Sequence, residues 1–322
     1  MTRRVIVPPI KCQGIKTKLV GDIRDLVGDL PPGRWIEPFC GSCVVALNVR
    51  PKRALLCDSN VHIINFYNDI KAGLVTPGTT REFLTREAEK LLAREDEYYY
   101  EVRERFNKKP TSLDFLFLNR ACFNGVMRFN RHGRFNVPFC HKTERFAPAY
   151  ITKIVNQVQA VRDTLQALDW EFRIADFRGT LSDVGVGDFV YADPPYAGRH
   201  VDYFNSWSED DETDLANMLA ELRCRFALST WHSNEFRSNP LIDVNWAAER
   251  FCMYTREHYY HVGSTEDLRH PMIEAVVTNF QATYSSPLKL DSQPALVLFE
   301  RRPSYLSSGN LEAAVPLAEV PA

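Results

Sequence analysis

The stretch "DFVYADPPYAG", from Asp188 to Gly198, decides the fold. A short apolar run near its start indicates a buried strand, and the run ends abruptly at Asp193. Pro194 and Pro195 then fix the backbone and provide no N–H donors, so nearby carbonyl oxygens remain free acceptors. Tyr196 adds an aromatic face. Acceptor oxygens beside an aromatic ring suit an exocyclic amine on a planar base.

Further apolar runs upstream end in the same way. They close at Glu37, Asp58 and Asp176, and another strand-like run covers residues 226–230. A helical pattern at residues 44–49 lies between two of these runs. Alternating strands and helices predict an α/β domain with a mostly parallel sheet. Acids at several carboxyl strand ends indicate a polar small-molecule site along one edge of that sheet.

The composition sets limits on the class of protein. The chain has 322 residues, 45% hydrophobic and 25% charged, which fits a globular protein with room for one large domain or two smaller ones. The net charge of -2 excludes a polycation, so any nucleic-acid surface must be local. Apolar runs are too short to span a bilayer or form a signal peptide, and scattered cysteines suit a reducing compartment. We therefore expect a cytoplasmic protein.

Residues 103–153 form a basic region. They contain eleven Lys and Arg residues against three acids, a net charge of about +8, so the rest of the chain sums to about -10. Helical segments at 85–106 and 113–123 lead into a hairpin-like stretch at 123–139. Aromatic residues and asparagines are interleaved with the cations. This pattern predicts a surface for a polyanion, and a solvated basic face is the alternative.

The motif Cys40-Gly41-Ser42-Cys43 before a predicted helix has three other interpretations. It is similar to thioredoxin-like redox motifs and to the nucleophile region of papain-like proteases, and its cysteines could bind zinc. The redox interpretation requires a lowered thiol pKa, which a helix N-terminus can provide. Val44 stands where papain-like enzymes have an aromatic residue, and the zinc interpretation needs a second CxxC pair, which the chain lacks. None of the three explains residues 188–198.

Five segments together resemble the Dam-type DNA adenine-N6 methyltransferases over about residues 9–280. They are "IKCQGIKTKLV" from Ile10, "EPFCGSCVVALN" from Glu37, "CDSN" from Cys57, "FLNRACFNGVMRFNRHGRFNVPF" from Phe117, and "DFVYADPPYAG". Their order is that of the α group of amino-methyltransferases. The resemblance implies an α/β fold: a Rossmann-like sheet that binds S-adenosylmethionine, with a mostly helical target-recognition insert containing a β-hairpin.

The resemblance implies site-specific methyl transfer from S-adenosylmethionine to N6 of an adenine flipped out of double-stranded DNA. It implies the catalytic residues Asp193, Pro194, Pro195 and Tyr196, and no metal. It implies the cofactor-binding residues Cys12, Lys16, Glu37, Phe39, Gly41, Ser42, Asp58, Asp176, Phe177 and Asp193. Three positions depart from the family pattern: Cys12 replaces a tryptophan, Ile15 a glycine, and Cys43 the second glycine of the cofactor loop.

The resemblance also implies a set of DNA-binding residues, namely Lys11, Arg120, Asn124, Val126, Arg128, Asn130, Asn136, Pro138 and Lys142. Arg128 suits a bidentate contact to a guanine edge. Arg120, Asn130 and Asn136 suit phosphate contacts. A GATC-like site is one candidate target, although Val126 and Lys142 stand where the GATC-reading form has leucine and tyrosine.

Three regions are expected. Residues 1–72 and 154–280 would form the catalytic domain, 73–153 the DNA-binding target-recognition domain, and 281–322 a partly mobile C-terminal extension. Expected partners are double-stranded DNA and a cognate restriction endonuclease, in a prokaryotic or phage setting near the nucleoid, with no membrane. Cytosine-N4 methylation and a DNA-binding protein with a degenerate cofactor pocket remain as alternatives.

Overall fold

The computed structural model describes residues 4–30, 32–196, 207–246, 250–259, 271–282 and 289–290. The helices in these ranges are α1 Val20–Val27, α2 Val44–Val49, α3 Val61–Lys71, α4 Pro77–Lys108, α5 Ser112–Ala121, α6 Pro148–Ala167, α7 Phe177–Leu181, α8 Glu209–Glu221 and α9 Leu241–Asn245. The strands are β1 Trp35–Glu37, β2 Arg53–Asp58, β3 Asp169–Ile174, β4 Phe189–Ala192, β5 Arg225–Asn234, β6 Cys252–Tyr259, β7 Pro271–Thr278 and β8 Lys289–Leu290.

One sheet joins these strands in the order β3-β2-β1-β4-β5-β7-β6-β8. The first five run parallel, whereas the pairs β5–β7, β7–β6 and β6–β8 are antiparallel. The chain order reverses between β1 and β4. A crevice opens at such a reversal, outside the carboxyl ends of the strands. The predicted α/β, Rossmann-like fold is confirmed.

The central strands are buried on both faces. In β4, Phe189 and Tyr191 belong to one hydrophobic cluster, and Val190 and Ala192 belong to another. Because successive side chains in a strand point to opposite faces, these clusters lie on the two sides of the sheet. Residues of α1, α2 and α3 share the first cluster with much of the helical insert, and residues of α7, α8 and α9 share the second. Helices therefore cover both faces.

The helical insert between β2 and β3 carries the hairpin-like stretch. Thr76 and Thr79 form a capping box at the start of α4, which bends at Glu95, where φ is 40°. The stretch that follows α5 forms isolated bridges between Cys122 and Phe139 and between Phe129 and Phe135, rather than regular strands. It is tied to α4, because the Tyr99 hydroxyl donates to the Val137 carbonyl at 2.8 Å.

Several sequence predictions can be compared with these elements. The five apolar runs predicted as strands overlap β1 to β5, and the helix predicted at 44–49 is α2. The antiparallel strands β6 and β7 were not predicted. Most of the expected C-terminal extension, including everything from residue 291 onward, lies outside the described residues. The expected domain boundaries stay a prediction. Among the described helices, none is long and apolar enough to cross a membrane.

Candidate active site

Three carboxylates meet at the carboxyl edge of the sheet. Glu37 ends β1, Asp58 ends β2 and Asp193 directly follows β4. Since β2, β1 and β4 are adjacent parallel strands, their ends lie side by side. The sequence placed these acids at strand ends, and the sheet order brings them to one crevice.

Lys16 reaches into this crevice from the N-terminal segment. Its ammonium lies 2.7 Å from Oδ1 of Asp193 and donates to the carbonyl of Gly14 at 2.9 Å. Lys16 is only 3% exposed. The resemblance assigned this lysine to the cofactor, whereas its ammonium contacts Asp193 and the Gly14 carbonyl.

Asp193 remains accessible despite this ion pair. Its side chain is 22% exposed. Burial raises the pKa of the carboxyl above its ordinary value, and the charge of Lys16 and its hydrogen bond oppose that rise. The buried ammonium of Lys16 therefore favours the ionised form of Asp193 against the effect of burial. A carboxylate oxygen in this position can accept a hydrogen bond from an amine.

Tyr196 lies beside the same lysine. The Lys16 ammonium is 5.0 Å from the centroid of its ring, a distance typical of a cation–π contact. The ring packs with Trp231, and the hydroxyl donates to Oε2 of Glu274 at 2.6 Å. Asp193 and Tyr196 thus share Lys16 as a neighbour beyond the end of β4, and Trp231 and Glu274 contact Tyr196 as well. Sequence reasoning named neither Trp231 nor Glu274.

Asp58 organises the loop that follows β1. Its two oxygens accept the backbone N–H groups of Gly41 and Asn60, both at 2.9 Å. Burial raises the pKa of the carboxyl, and these two donors oppose the shift. Gly41 has φ of 46°, and the sulfur of Cys12 lies 3.5 Å from the place where a Cβ would stand. Glycine is favoured here by the positive φ, since the distance to Cys12 would be an ordinary contact for a Cβ.

Three aromatic rings form a wall next to this loop. Phe39 stacks on Phe177 with ring centroids 5.6 Å apart, and Trp207 lies 5.5 Å from each of them. Asp176 is exposed and caps α7 by accepting from the Gly179 N–H at 2.8 Å. Trp207 was not predicted, because it follows the 188–198 motif at a distance where no pattern marks it. An aromatic wall beside a carboxylate suits a nucleoside.

Two further residues assigned to the cofactor have internal partners. Oε1 of the buried Glu37 accepts from the Trp35 indole at 2.8 Å, and burial raises the pKa of this carboxyl to about 8. The carbonyl of Ser42 accepts from the Tyr67 hydroxyl at 2.6 Å, which anchors the loop to α3. The first contact lies within β1, and the second holds the loop that follows it.

The CxxC motif does not have the properties of a reactive thiol pair. Cys40 and Cys43 are buried, 5% and 1% exposed. Burial is the main cause that raises the pKa of each thiol, which opposes thiolate formation. No group of three or more potential metal ligands occurs within the described ranges. The redox and zinc interpretations are not supported.

The hairpin-like stretch presents part of the predicted DNA surface. Asn124, Pro138 and Lys142 are exposed, and Val126 is partly buried against the core. Phe123, which was not predicted, has 55% of its surface exposed, and its N–H donates to the Pro138 carbonyl at 2.9 Å. An exposed aromatic ring on a basic surface can insert between base pairs.

Several of the other residues that were predicted to contact DNA form hydrogen bonds within the hairpin-like stretch. Arg128 donates through Nε to Oδ1 of Asn136 at 2.9 Å and through Nη2 to its carbonyl at 3.3 Å. Oδ1 of Asn130 accepts the N–H groups of His132 and Arg134, which closes the turn. These bonds orient the side chains before DNA arrives.

Arg120 was predicted to contact a phosphate, but its guanidinium bonds to groups inside the fold. Its guanidinium donates to the Pro9 carbonyl and to Oε1 of Gln157 at 2.7 Å. Burial lowers its pKa to about 10. These internal bonds tie α5 and α6 to the N-terminal segment. We therefore do not include Arg120 in the proposed DNA-binding surface.

Lys11 lies against the same region. Its backbone is held by the side chain of Asn119, with bonds of 2.7 and 2.9 Å. Burial lowers the pKa of its ammonium to about 8, with the charges of Arg145 and Arg120 adding to the effect. A cation placed beside two others favours the approach of an anion.

Comparison with known proteins gives a consistent family. The D12 class N6 adenine-specific DNA methyltransferase model matches residues 13–265. A retron Ec67 DNA adenine methylase of Escherichia coli is 32% identical over 219 residues, which cover 65% of this chain and 71% of that protein. A DNA adenine methylase of Serratia marcescens is 33% identical over 227 residues, covering 66% of this chain and 77% of that protein.

Two more distant likenesses extend the comparison. The Type II methyltransferase M.FokI of Planomicrobium okeanokoites is 27% identical over 289 residues, covering 87% of this chain and 44% of that protein. Among solved structures, the rRNA methyltransferase aviRa of Streptomyces viridochromogenes covers 86% of this chain and 90% of its own, with a TM-score of 0.36 and 14% identity. That structural likeness is too low to carry an argument.

Proposed function

The chain belongs to the D12 class N6 adenine-specific DNA methyltransferases, and from this premise we propose how it acts. It is a site-specific DNA adenine methyltransferase. In our proposal the methyl donor is S-adenosylmethionine and the acceptor is an adenine flipped out of the duplex. A base must leave the stack because its amino group is otherwise out of reach, which costs a few kcal/mol.

One observation carries the proposal: the partly exposed carboxyl of Asp193 lies at the sheet crevice, and the buried ammonium of Lys16 pairs with it at 2.7 Å. An aspartate in a dry site tends to protonate, because burial disfavours its charge. The ion pair opposes that tendency. A carboxylate kept ionised beside an aromatic ring is an acceptor for an exocyclic amine.

The chain's own residues would act by positioning. The adenine amino group donates one hydrogen bond to Asp193 and one to the Pro194 carbonyl, and the nitrogen lone pair is then directed out of the plane of the ring. After methylation, one of these N–H protons leaves to solvent. Tyr196 holds the purine by stacking. As positive charge develops on the nitrogen, the Asp193 carboxylate stabilises it. Because the reactants need only be aligned, positioning supplies most of the rest of the rate enhancement.

The cofactor crevice suits an adenosine-like ligand with an attached amino acid. S-adenosylmethionine, when bound, supplies an electrophilic methyl group on a sulfonium. The aromatic wall of Phe39, Phe177 and Trp207 matches a purine, and carboxylates such as Asp58 and Asp176 match hydroxyl and amino donors. Glu37, Ser42 and Cys12 would line the loop at Gly41. Cys12 at the tryptophan position would contribute less stacking area than an indole.

The DNA side of the proposal uses the exposed face of the hairpin-like stretch. Asn124, Pro138 and Lys142 would meet the duplex, with Lys11 beside them and Phe123 as a wedge. Arg128, oriented by its bond to Asn136, would read a guanine edge, and Asn130 and Asn136 would contact phosphates. Val126 would contact the bases from its partly buried position. A cognate restriction endonuclease as partner is an extension suggested by the name of the M.FokI relative.

The deciding experiment reads modified bases directly. DNA from cells that express the protein is sequenced by a single-molecule method that detects N6-methyladenine, beside DNA from cells expressing Asp193→Ala. We expect methylation in one short sequence context with the unchanged protein and none with the variant. Purified Asp193→Ala should still bind the same duplex. Equal methylation by both proteins would contradict the mechanism, and modification of cytosine instead would contradict the target.

A further inference from the structure

Glu274 is a buried carboxylate with an unusual position. It lies in the middle of β7, is 2% exposed, and accepts the Tyr196 hydroxyl at 2.6 Å through Oε2. Glutamates are rarely fully buried, because removing a charge from water is expensive and partners seldom repay the full cost. A buried glutamate bonded to the tyrosine of the catalytic segment therefore suggests a role other than stability.

The sheet register gives Tyr196 a second support. Trp231 of β5 lies directly opposite Glu274 in the antiparallel pair β5–β7. Residues opposite each other in such a pair point to the same face of the sheet. Trp231 is 2% exposed and packs against the Tyr196 ring. The ring thus has an indole against it and a carboxylate at its hydroxyl.

Glu274 also acts on the catalytic aspartate through its charge. Its carboxylate is one cause of the raised pKa of Asp193, opposed by Lys16. Lys16 in turn lies near the ring of Tyr196. Two carboxylates and one ammonium are therefore arranged around the tyrosine.

We propose that Glu274 is a positioning residue for base binding: its carboxylate fixes the ring of Tyr196 in the orientation that receives the flipped adenine. This inference rests on the proposed function. A hydroxyl that donates to a carboxylate also makes its ring more electron-rich. An electron-rich ring attracts a cation more strongly, so the contact favours an adenine that gains positive charge during transfer.

The test is a double-mutant cycle with Tyr196→Phe, Glu274→Leu and the double variant. Each single change removes one partner of the same hydrogen bond, and each is expected to lower kcat about tenfold, the usual range for one such bond. The double variant should lose much less than the product of the single losses. Glu274→Gln keeps an acceptor without the charge and should lie between Glu274→Leu and the unchanged protein.

A spectroscopic readout separates positioning from general stability. Duplex DNA with 2-aminopurine at the target adenine reports the environment of the flipped base by fluorescence. Tyr196→Phe and Glu274→Leu should shift the signal of the bound duplex in the same direction, while the Kd for DNA stays within about twofold.

The chain offers a matched control in the helical insert. The Tyr98 hydroxyl donates to Oε2 of the buried Glu87, also at 2.6 Å. Tyr98→Phe removes the same kind of bond at a place with no proposed catalytic or binding role. It should lower Tm but leave kcat and the 2-aminopurine signal unchanged.

Two results would overturn the inference: a Glu274→Leu protein with unchanged kcat, or single losses that multiply fully in the double variant. If Glu274→Leu does not fold, the cycle of Glu274→Gln with Tyr196→Phe decides in the same way. The unchanged protein is assayed first for adenine methylation. Its failure there would count against the proposed function, whereas an active protein with a fully multiplicative cycle would count against Glu274 alone.

Discussion

The buried ammonium of Lys16 and the partly exposed carboxyl group of Asp193 form an ion pair of 2.7 Å that joins the N-terminal segment to the end of β4. Lys16 has one further described acceptor, the Gly14 carbonyl. Removing one partner of a buried pair leaves the other charge uncompensated. The carboxyl group of Asp193, catalytic in our proposal, therefore depends on a residue from a distant part of the chain.

Replacing Lys16 by methionine should reduce methylation and change its pH dependence. The charge of Lys16 lowers the pKa of Asp193, so without it that pKa rises further. The proposed mechanism requires Asp193 as the anion, so we expect the acid limb of the kcat profile to move to higher pH and kcat on that limb to fall, by about tenfold for each unit of added pKa. An unmoved acid limb would contradict this role.

Lys11 should make DNA binding sensitive to alkaline pH. Its pKa in the free protein is lowered to about 8, so the cation is present below pH 8 and is lost above it. Affinity should be flat below that pH and fall above it, by at most about tenfold per pH unit. Fluorescence anisotropy at constant ionic strength measures this. Lys11→Met should bind more weakly with a flat profile, whereas Lys142→Met should keep the pH dependence because Lys11 is intact.

Arg128 should determine sequence selectivity. Replacing it by alanine removes a proposed guanine contact worth about 1–3 kcal/mol of discrimination. We expect methylation to spread to sites that differ at one base pair, which sequencing of modified bases would reveal. Arg134→Ala is the control, because Arg134 pairs with Glu104 at the exposed surface. A relaxed pattern in the control and an unchanged pattern in Arg128→Ala would reverse the assignment.

Glu37 should make the fold less stable as pH rises. Burial raises its pKa from 4.5 to about 8, so the folded state binds more protons than the unfolded chain between these values. Stability from this group is complete below about pH 4.5 and is lost as pH increases toward 8, at about 1.4 kcal/mol per unit of pKa difference. In urea titrations, Glu37→Gln should show a flatter dependence over this window. The same slope in both proteins would show that Glu37 does not titrate as described.

Cys40 should be dispensable for the chemistry. Its thiol is buried and its pKa is raised, which opposes a nucleophilic or redox role. Cys40→Ser should therefore keep methylation within a few-fold, with and without a reductant, in an assay that follows methyl incorporation into DNA. Loss of all activity with a normal Tm would revive the redox interpretation of the CxxC motif.

The ends of the first four parallel strands in the chain were predictable from the sequence because an acid stands at or near the end of each apolar run, as at Asp58 and Asp193. Their convergence at one edge follows from parallel pairing. The partner of Lys16 was not predictable in this way. The motif placed it among cofactor contacts, yet a side chain's partner depends on which segments the fold brings together.

The supports of Tyr196 were also missed for a physical reason. Glu274 and Trp231 become neighbours only through the register of β5 and β7, and β7 has no alternating pattern that marks one buried acid as functional. Arg120 shows the opposite case, because a cation in a basic stretch suggests phosphate binding while its bonds to Pro9 and Gln157 lie inside the fold.

The bonds that clasp the N-terminal segment limit how specificity could be re-engineered. Asn119 and Arg120 hold the backbone at Lys11 and Pro9, and Gly125 has no Cβ where the Lys11 side chain packs, since a Cβ there would stand 2.5 Å from it. A chimaera could take residues 73–153 from a relative but keep its own residues 9–16. The contacts between these two segments would then no longer match. This mismatch would disturb Lys16, and with it Asp193. Both segments must therefore be exchanged together if a chimaera with a new target-recognition segment is to remain active.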